Sequence, residues 1–127
     1  NHMTVFGGEQ TRPNIHINDM VKVYQFFLQN SLPSGFYNAG FENLKIIEIA
    51  NIIKKYIPDV KISVSDSNDP RSYRQNSDKL INYGFKPNFK VENAIEDLIK
   101  RLSEGSLKED ESSYTVRWMK HLNLDLK

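Results

Sequence analysis

Two arginines, Arg71 and Arg74, lie three residues apart in the segment DPRSYRQNSDKLINYGFKP (residues 69–87), just ahead of a short helical pattern. A guanidinium is a rigid planar fork that binds phosphate or carboxylate through paired hydrogen bonds. Arg12, in the run QTRP, precedes a predicted strand and adds a third fork. These residue types in loops leading into helices and strands indicate a binding site for an anion.

The alternative interpretation of the arginines is structural. Asp69 and Asp78 are local acidic partners, and surface ion pairs between arginine and aspartate are common in proteins. Composition favours this alternative. From the residues alone, the chain is therefore an α+β domain whose arginines either bind an anion or pair with neighbouring carboxylates.

The sequence contains none of the common motifs of catalytic or cofactor-binding sites. The glycine-rich dinucleotide loop, the P-loop, the nucleophile elbow and the HExxH motif are all absent. The chain has no cysteine, which excludes thiolate metal sites and cysteine nucleophiles. His16 and Asp19 lie three residues apart without a third ligand nearby, so we expect structural roles for them. We expect no catalytic, cofactor-binding or metal-binding residue in this chain.

Length and charge restrict the function further. The 127 residues suit one domain, and a net charge of +1 argues against nucleic-acid binding through a basic face. No apolar run approaches the roughly 18 residues of a membrane span, and no signal peptide is visible. We therefore expect a cytoplasmic protein with neither nucleic-acid nor membrane partners.

The first three residues, Asn-His-Met, resemble a cloning remnant, which predicts a natural segment that starts near Thr4. The chain is then expected to be a piece of something longer. Residues 4–102 are predicted to form one domain. Residues 103–127 are predicted to form a polar linker and a short terminal helix.

The hydrophobic pattern predicts short strands that alternate with helices. Asn18 is expected to cap the first helix and Gly84 to end the third. The segment from residue 69 to Arg74 is predicted as loop and strand. The predicted strands are 4–6, 14–17, 35–40 and 60–64, and the predicted helices are 20–28, 45–56, 77–83, 91–102 and 114–122. The fold class is therefore α+β, a small mixed domain of short strands and about four to five helices.

Three segments resemble, in order, the extended short-chain dehydrogenases/reductases, a family that includes NAD-dependent nucleotide-sugar epimerases and dehydratases. Residues 5–19 (VFGGEQTRPNIHIND) resemble its glycine-rich turn, arginine and Ile-His-Val-Asp-Asp run. Residues 37–50 (YNAGFENLKIIEIA) resemble its Tyr-Asn-Val-Gly turn and helix, and residues 69–87 its arginine segment ending in Gly-Phe-x-Pro. The resemblance covers about residues 4–102. It implies the C-terminal, substrate-binding part of such an enzyme, lacking the main Rossmann sheet.

The resemblance also implies roles for individual residues. Arg12 and Arg71 match arginines that contact the diphosphate of a nucleoside-diphosphate sugar, which gives the anion site a specific ligand. Asn38 matches the turn near the sugar pocket and is the third expected substrate-binding residue. Arg74 falls where the family varies, so no role is carried over to it.

The remaining parts of such an enzyme are not in this sequence. The family binds NAD in an N-terminal Rossmann domain, and its Tyr-x-x-x-Lys pair lies upstream as well. In the complete enzyme, NAD would take a hydride from the sugar and the tyrosine would act as base. The resemblance implies that this chain alone is an inactive fragment whose partner is the missing Rossmann domain. Apolar surface left exposed by that absence could drive homo-oligomer formation.

Two other functions stay open at this point. The first is a non-catalytic protein-interaction module built on the same scaffold. The second is a small nucleotide- or nucleic-acid-binding domain, which the near-neutral charge disfavours. Epimerase (isomerase) and dehydratase (lyase) activities are not distinguished by these motifs.

Overall fold

Two small two-stranded sheets and five α-helices make up the part of the chain that the computed structural model describes, residues 1–67, 69 and 71–122. This arrangement confirms the predicted α+β class with few short strands. The strands are β1 (His2–Phe6), β2 (Thr11–Asn14), β3 (Glu42–Lys45) and β4 (Lys61–Ser65), and the helices are α1 (Ile17–Gln29), α2 (Ile46–Tyr56), α3 (Asp78–Asn82), α4 (Val91–Ser103) and α5 (Thr115–His121), with a short 3₁₀ helix at Glu111–Ser113.

The two sheets differ in direction. β1 and β4 pair in parallel, with Val5 opposite Val64, and the connection between them contains α2. Parallel strands require such a crossover because a tight turn can join only antiparallel neighbours. β2 and β3 pair antiparallel, with Arg12 opposite Leu44. This second sheet carries the first of the predicted site residues.

Several predicted strands are wrong in position. The strand expected at 14–17 lies earlier, at β2, while β3 was not predicted. The segment 35–40 is not a strand, and none of the described residues forms a backbone–backbone hydrogen bond with 36–39. A β-prone sequence becomes a strand only when a neighbouring strand pairs with its backbone, and the described residues provide none there. β1 begins at His2, before the predicted start, since His2 pairs with Lys61.

The start of α1 differs from the prediction in its cap. His16 is the N-cap residue, and its Nδ1 accepts a hydrogen bond from the backbone N–H of Asn18 at 3.1 Å. Asn18 is therefore inside the helix. Asp19 in the first turn is fully buried, and its Oδ2 accepts from the backbone N–H groups of Asn88 and Phe89, both at 2.9 Å. The carboxylate thus joins the helix start to the segment before α4.

The core of the domain forms around three buried residues, Val23 of α1, Leu80 of α3 and Phe85. Phe85 stacks on Phe41 at 5.3 Å between ring centroids. The chain reaches Phe85 through Gly84, whose φ of +103° ends α3 as predicted. Partly buried side chains surround these three, namely Ile15, Phe26, Phe27, Tyr37, Ala39 and Phe41.

The chain divides into two compact units, Asn1–Glu96 and a second that begins at Asp97, so the division falls within α4. Both sheets and the core belong to the first unit. In the second, Arg101 bonds Asp97 at 2.8 Å, and Tyr114 donates a hydrogen bond to Glu109. Among the described residues, no helix is both long and apolar enough to cross a bilayer.

Candidate functional site

The arginine-containing segment lies beside β2, although it is not itself a strand. The backbone N–H of Tyr73 donates to the carbonyl of Thr11 at 3.0 Å. The N–H of Thr11 in turn donates to the Ser72 hydroxyl at 3.0 Å. Because Thr11 is only 5% exposed, the segment has a fixed anchor next to Arg12. The segment predicted as loop and strand up to Arg74 is therefore not a strand. One backbone–backbone hydrogen bond and one hydrogen bond to a side chain hold it to β2.

Asn43 of β3 makes the second attachment of this segment. Its Oδ1 accepts from the backbone N–H of Gln75 at 2.9 Å, and its Nδ2 donates to the carbonyl of Gln75 at 3.0 Å. The Asn43 side-chain amide therefore makes the two hydrogen bonds with the Gln75 backbone that a neighbouring strand would otherwise make. Nothing in the sequence marked Asn43, because its role depends on β3 pairing with β2.

Arg12 and Arg71 converge on one carboxylate, that of Asp69. Arg71 binds it through two hydrogen bonds, Nε to Oδ1 at 2.6 Å and Nη2 to Oδ2 at 2.8 Å. Arg12 Nη2 lies 3.4 Å from Asp69 Oδ2. The expected proximity of the two arginines is therefore present, and so is the ion pair with Asp69 that the alternative interpretation predicted. Their role in substrate binding stays a prediction.

Arg12 is the better anchored of the two guanidiniums. Its Nη1 donates to the carbonyls of Arg71 at 2.6 Å and Thr11 at 3.1 Å. Its guanidinium carbon also lies 5.1 Å from the ring centroid of Tyr73, within the range of a cation–π contact. The Arg12 side chain is 27% exposed and that of Arg71 68% exposed. Arg12 is thus part of the framework, while Arg71 faces solvent.

Asp69 and Arg71 keep their charges over the ordinary pH range. Hydrogen bonds from the Arg71 side chain and backbone N–H, with the charge of Arg12, lower the pKa of Asp69 to about 2. The hydrogen bond with Asp69 raises the pKa of Arg71 above its already high value. Two guanidiniums and one carboxylate leave one net positive charge. The cluster is therefore suited to an anion.

A cavity of about 430 Å³ opens next to the arginines. Arg12, Ser67 and Asp69 line its polar side, and residues of β1 and α2, most of them apolar, line much of the rest. Gln10 lies at the polar side as well, where its Nε2 donates to the carbonyls of Phe6 at 3.2 Å and Asp69 at 3.4 Å. Its buried Oε1 has no hydrogen-bond partner among the described residues. No sequence pattern pointed to Gln10, which the fold places beside Arg12 and Asp69.

Asn38 lies elsewhere. It lines a second cavity of about 600 Å³, and its Nδ2 donates to the carbonyl of Asn76 at 3.1 Å. Four aromatic side chains contribute to the walls of this cavity, those of Tyr24, Phe27, Phe36 and Tyr37. Neither Arg12 nor Arg71 lines it. The structure therefore brings the two arginines together but does not bring Asn38 to them, and a substrate-binding role for Asn38 stays a prediction.

Arg74 and Asp78 belong to a third cavity, of about 440 Å³. The predicted ion pair of an arginine with Asp78 is wrong within the described part of the chain. Asp78 Oδ2 instead accepts from Asn76 Nδ2 at 2.8 Å, because Asn76 is two residues away at the start of α3. Arg74 is thus separate from the Arg12–Arg71 pair.

The histidine and aspartate near α1 have the structural surroundings that we expected. His16 caps the helix and stacks on Phe89 at 4.6 Å between ring centroids. Asp19 is buried against backbone N–H groups. No group of three or more His, Cys, Asp or Glu side chains in the described ranges could hold a metal ion.

The known proteins that the chain matches include a curated reductase and a solved NADPH complex, while no family model matches the chain. The chain is 26% identical over 94 residues to vestitone reductase of Medicago sativa, which covers 71% of this chain and 29% of that protein. The structure of RMD from Pseudomonas aeruginosa complexed with NADPH superposes with a TM-score of 0.61 at 19% identity. That alignment covers 76% of this chain and 33% of RMD.

The chain spans about a third of the length of each of these two relatives. The match to RMD shows that the two proteins share a fold over the aligned part. The match to vestitone reductase adds a relationship in sequence to an enzyme named as a reductase. Together the two matches support a relationship of this chain to reductases of the short-chain dehydrogenase/reductase type.

Proposed function

We propose that the chain is the C-terminal, substrate-binding part of a nicotinamide-dependent enzyme of this type and that its substrate is a nucleoside-diphosphate sugar. The three sequence motifs favour an epimerase or dehydratase within that type. The observation that carries the proposal is the convergence of Arg12 and Arg71, which lie 59 residues apart in sequence, around a single carboxylate.

The geometry of the pair suits a diphosphate, because such a ligand has two anionic groups for two guanidiniums. Both guanidiniums lie beside Asp69. That of Arg12 is the more buried and is held by neighbouring backbone groups, whereas that of Arg71 faces solvent. A diphosphate carries two adjacent anionic groups, each able to accept paired hydrogen bonds. The cavity of about 430 Å³ beside Arg12 gives room for an organic group attached to such an anion. The proposed ligand therefore matches both the charge and the space.

The chemistry of the reaction is assigned to the rest of the enzyme. We propose that an N-terminal Rossmann domain binds the cofactor, NAD as the motifs imply or NADP by analogy with the NADPH complex of RMD. That domain would also provide the residues for proton transfer. Residues 1–122 offer arginines, amides and an apolar cavity, which can bind and orient a substrate. The chain alone is expected to have no activity.

Binding of nucleoside diphosphates tests this proposal directly. We expect UDP or ADP to bind the chain with a Kd in the millimolar range, followed by amide chemical shifts in ¹⁵N spectra. Arg71→Ala and Arg12→Ala should each weaken binding by about tenfold or more, the loss of a charge-assisted contact. Arg101→Ala is the matched control, because Arg101 contacts Asp97 outside the site. An equal loss in the control would indicate bulk charge, and no binding by the wild type would refute the proposal.

A second candidate function, a protein-interaction module, is favoured by one face of α1. Ile17, Val21, Tyr24 and Leu28 recur every three or four residues and are 69%, 49%, 67% and 87% exposed. Such a stripe of apolar side chains usually marks a contact surface. In the leading proposal the same stripe docks onto the Rossmann domain, and in this one it binds another protein or a second copy of the chain.

The two candidates differ in testable ways. Sedimentation velocity of wild type and Val21→Lys would show whether the stripe mediates self-association. The native gene upstream of Thr4 would show whether a Rossmann domain precedes the chain. A frame with a glycine-rich motif and a Tyr-x-x-x-Lys pair supports the enzyme, whereas a start codon near Thr4 supports the interaction module.

A further inference from the structure

The part of Arg71 that would bind a phosphate is already in use. Its Nε and Nη2 form the fork that binds two oxygens at once, and both donate to Asp69, at 2.6 and 2.8 Å. A two-point contact of this kind is the one that guanidinium makes with phosphate. The Asp69 carboxylate therefore occupies the position on Arg71 that a phosphate group of the substrate would take.

Asp69 is not needed to position Arg12, because other contacts hold the Arg12 guanidinium. The two carbonyl acceptors of Arg12 Nη1 lie at 2.6 and 3.1 Å, and the Tyr73 ring lies under its guanidinium. The hydrogen bond of Arg12 with Asp69 is the longest that the Arg12 guanidinium makes among the described residues, at 3.4 Å. Arg71, in contrast, is 68% exposed, and Asp69 is the main partner of its side chain. Asp69 thus holds the more exposed arginine of the pair.

We propose that Asp69 is an internal counter-ion that competes with the substrate diphosphate for Arg71. This inference rests on the proposed function, since it names what the diphosphate must displace. In the unliganded protein the carboxylate holds the Arg71 fork. When a diphosphate binds, Arg71 transfers its two hydrogen bonds to a phosphate, and Asp69 weakens binding of every anion by the cost of that exchange.

The contacts of Asp69 make this exchange feasible. Its Oδ1 also accepts from the backbone N–H of Arg71 at 3.1 Å, and its Oδ2 faces Arg12. Both contacts persist if only the Arg71 side chain moves. The exchange therefore leaves no buried unpaired charge, because Asp69 keeps two partners and its side chain is 36% exposed. A rotation of the exposed Arg71 side chain is sufficient.

Removing the charge of Asp69 tests the proposal, with inorganic pyrophosphate as the probe at constant ionic strength. Asp69→Asn should bind pyrophosphate about tenfold more tightly than wild type, which corresponds to ~1.4 kcal/mol. Asp78→Asn is the matched control, since it removes the same charge from the same segment, while Asp78 bonds Asn76 and pairs with no arginine within the described ranges. The control should bind like wild type. Equal tightening in both variants would show an effect of net charge and overturn the proposal.

A second measurement follows the exchange in the wild-type chain and does not depend on a variant. The Arg71 Nε–H and the Asp69 carboxyl carbon should both change their chemical shifts as pyrophosphate saturates the site. An unchanged Asp69 carboxyl shift at saturation would mean that the ion pair survives binding, which contradicts the proposal.

The outcomes separate this inference from the proposed function. Equal or weaker binding by Asp69→Asn, with the wild type still binding and Arg71→Ala not, overturns the counter-ion and leaves the diphosphate site. Tighter binding by Asp69→Asn than by the wild type, with Asp78→Asn unchanged, supports both. Absence of binding in every variant overturns the diphosphate site and the counter-ion with it.

Discussion

The side-chain amide of Asn43 pairs with both backbone groups of Gln75, accepting from its N–H at 2.9 Å and donating to its carbonyl at 3.0 Å. This pairing and the Thr11–Tyr73 hydrogen bond attach the arginine segment to the β2–β3 sheet. The position of Arg71 therefore depends on a residue of β3 whose hydrogen bonds, in the part of the chain that the structure describes, go to neither Arg12 nor Arg71.

Replacing Asn43 should affect binding more than stability. Asn43→Ala removes two exposed hydrogen bonds, so the free energy of unfolding should fall by only about 1 kcal/mol. UDP affinity should fall about threefold to tenfold, because Arg71 loses its position relative to Arg12. Urea denaturation and an NMR titration give the two values. Asn30→Ala, which removes a bond to the Phe26 carbonyl away from the site, should lower stability alone.

The buried carboxylate of Asp19 should be among the most important polar groups for stability. Asp19→Ala leaves the N–H groups of Asn88 and Phe89 without their acceptor inside the protein. Loss of two hydrogen bonds at a fully buried site should lower the free energy of unfolding by about 3 kcal/mol. Asp59→Ala, at an exposed position, should change it by less than about 0.5 kcal/mol. A loss below about 1 kcal/mol for Asp19→Ala would contradict this role.

The pH dependence of the arginine cluster follows from Asp69. Its pKa lies at about 2, below its ordinary value of 3.8. A carboxyl group with a lowered pKa in the folded state stabilises that state above the ordinary value and loses this contribution as pH falls towards 2. The cluster should therefore be unchanged between about pH 5 and 8. An NMR titration of the Asp69 carboxyl carbon measures this, and a midpoint near 4 would mean that the ion pairs are not formed.

Replacing Gly40 or Gly84 with alanine should destabilise the protein, but for different physical reasons. At Gly40 a Cβ would lie 2.4 Å from Gln75 Oε1 and 3.0 Å from Pro13 Cβ. At Gly84 a Cβ meets nothing within 4 Å, so only the φ of +103° opposes it. We expect Gly84→Ala to cost about 1–2 kcal/mol in backbone strain.

For Gly40→Ala the cost should come from crowding, at about 1–3 kcal/mol. Adding Gln75→Ala should recover part of the loss, because the nearest atom belongs to that side chain. Thermal unfolding of the single and double variants provides the comparison. Full additivity of the two changes would show that the crowding is absent.

The helices were predictable because their patterns are local. α2 and α4 each present apolar residues at helical spacing, and both begin and end within one residue of the predicted bounds. The end of α3 at Gly84 was likewise predictable, since a positive φ favours glycine. The same holds for the strand β4, whose alternation is visible in Val60 to Val64.

The remaining features depend on partners distant in sequence. β3, with the sequence ENLK, has no strand pattern and exists because β2 pairs with it, whereas GFYNAG has the pattern and pairs with no described strand. The three arginines and their acidic neighbours were visible in the sequence as a candidate anion site. Only the tertiary structure decided that Arg12 joins Arg71 while Arg74 and Asn38 do not, because side chains 59 residues apart meet only after β2 binds the arginine segment.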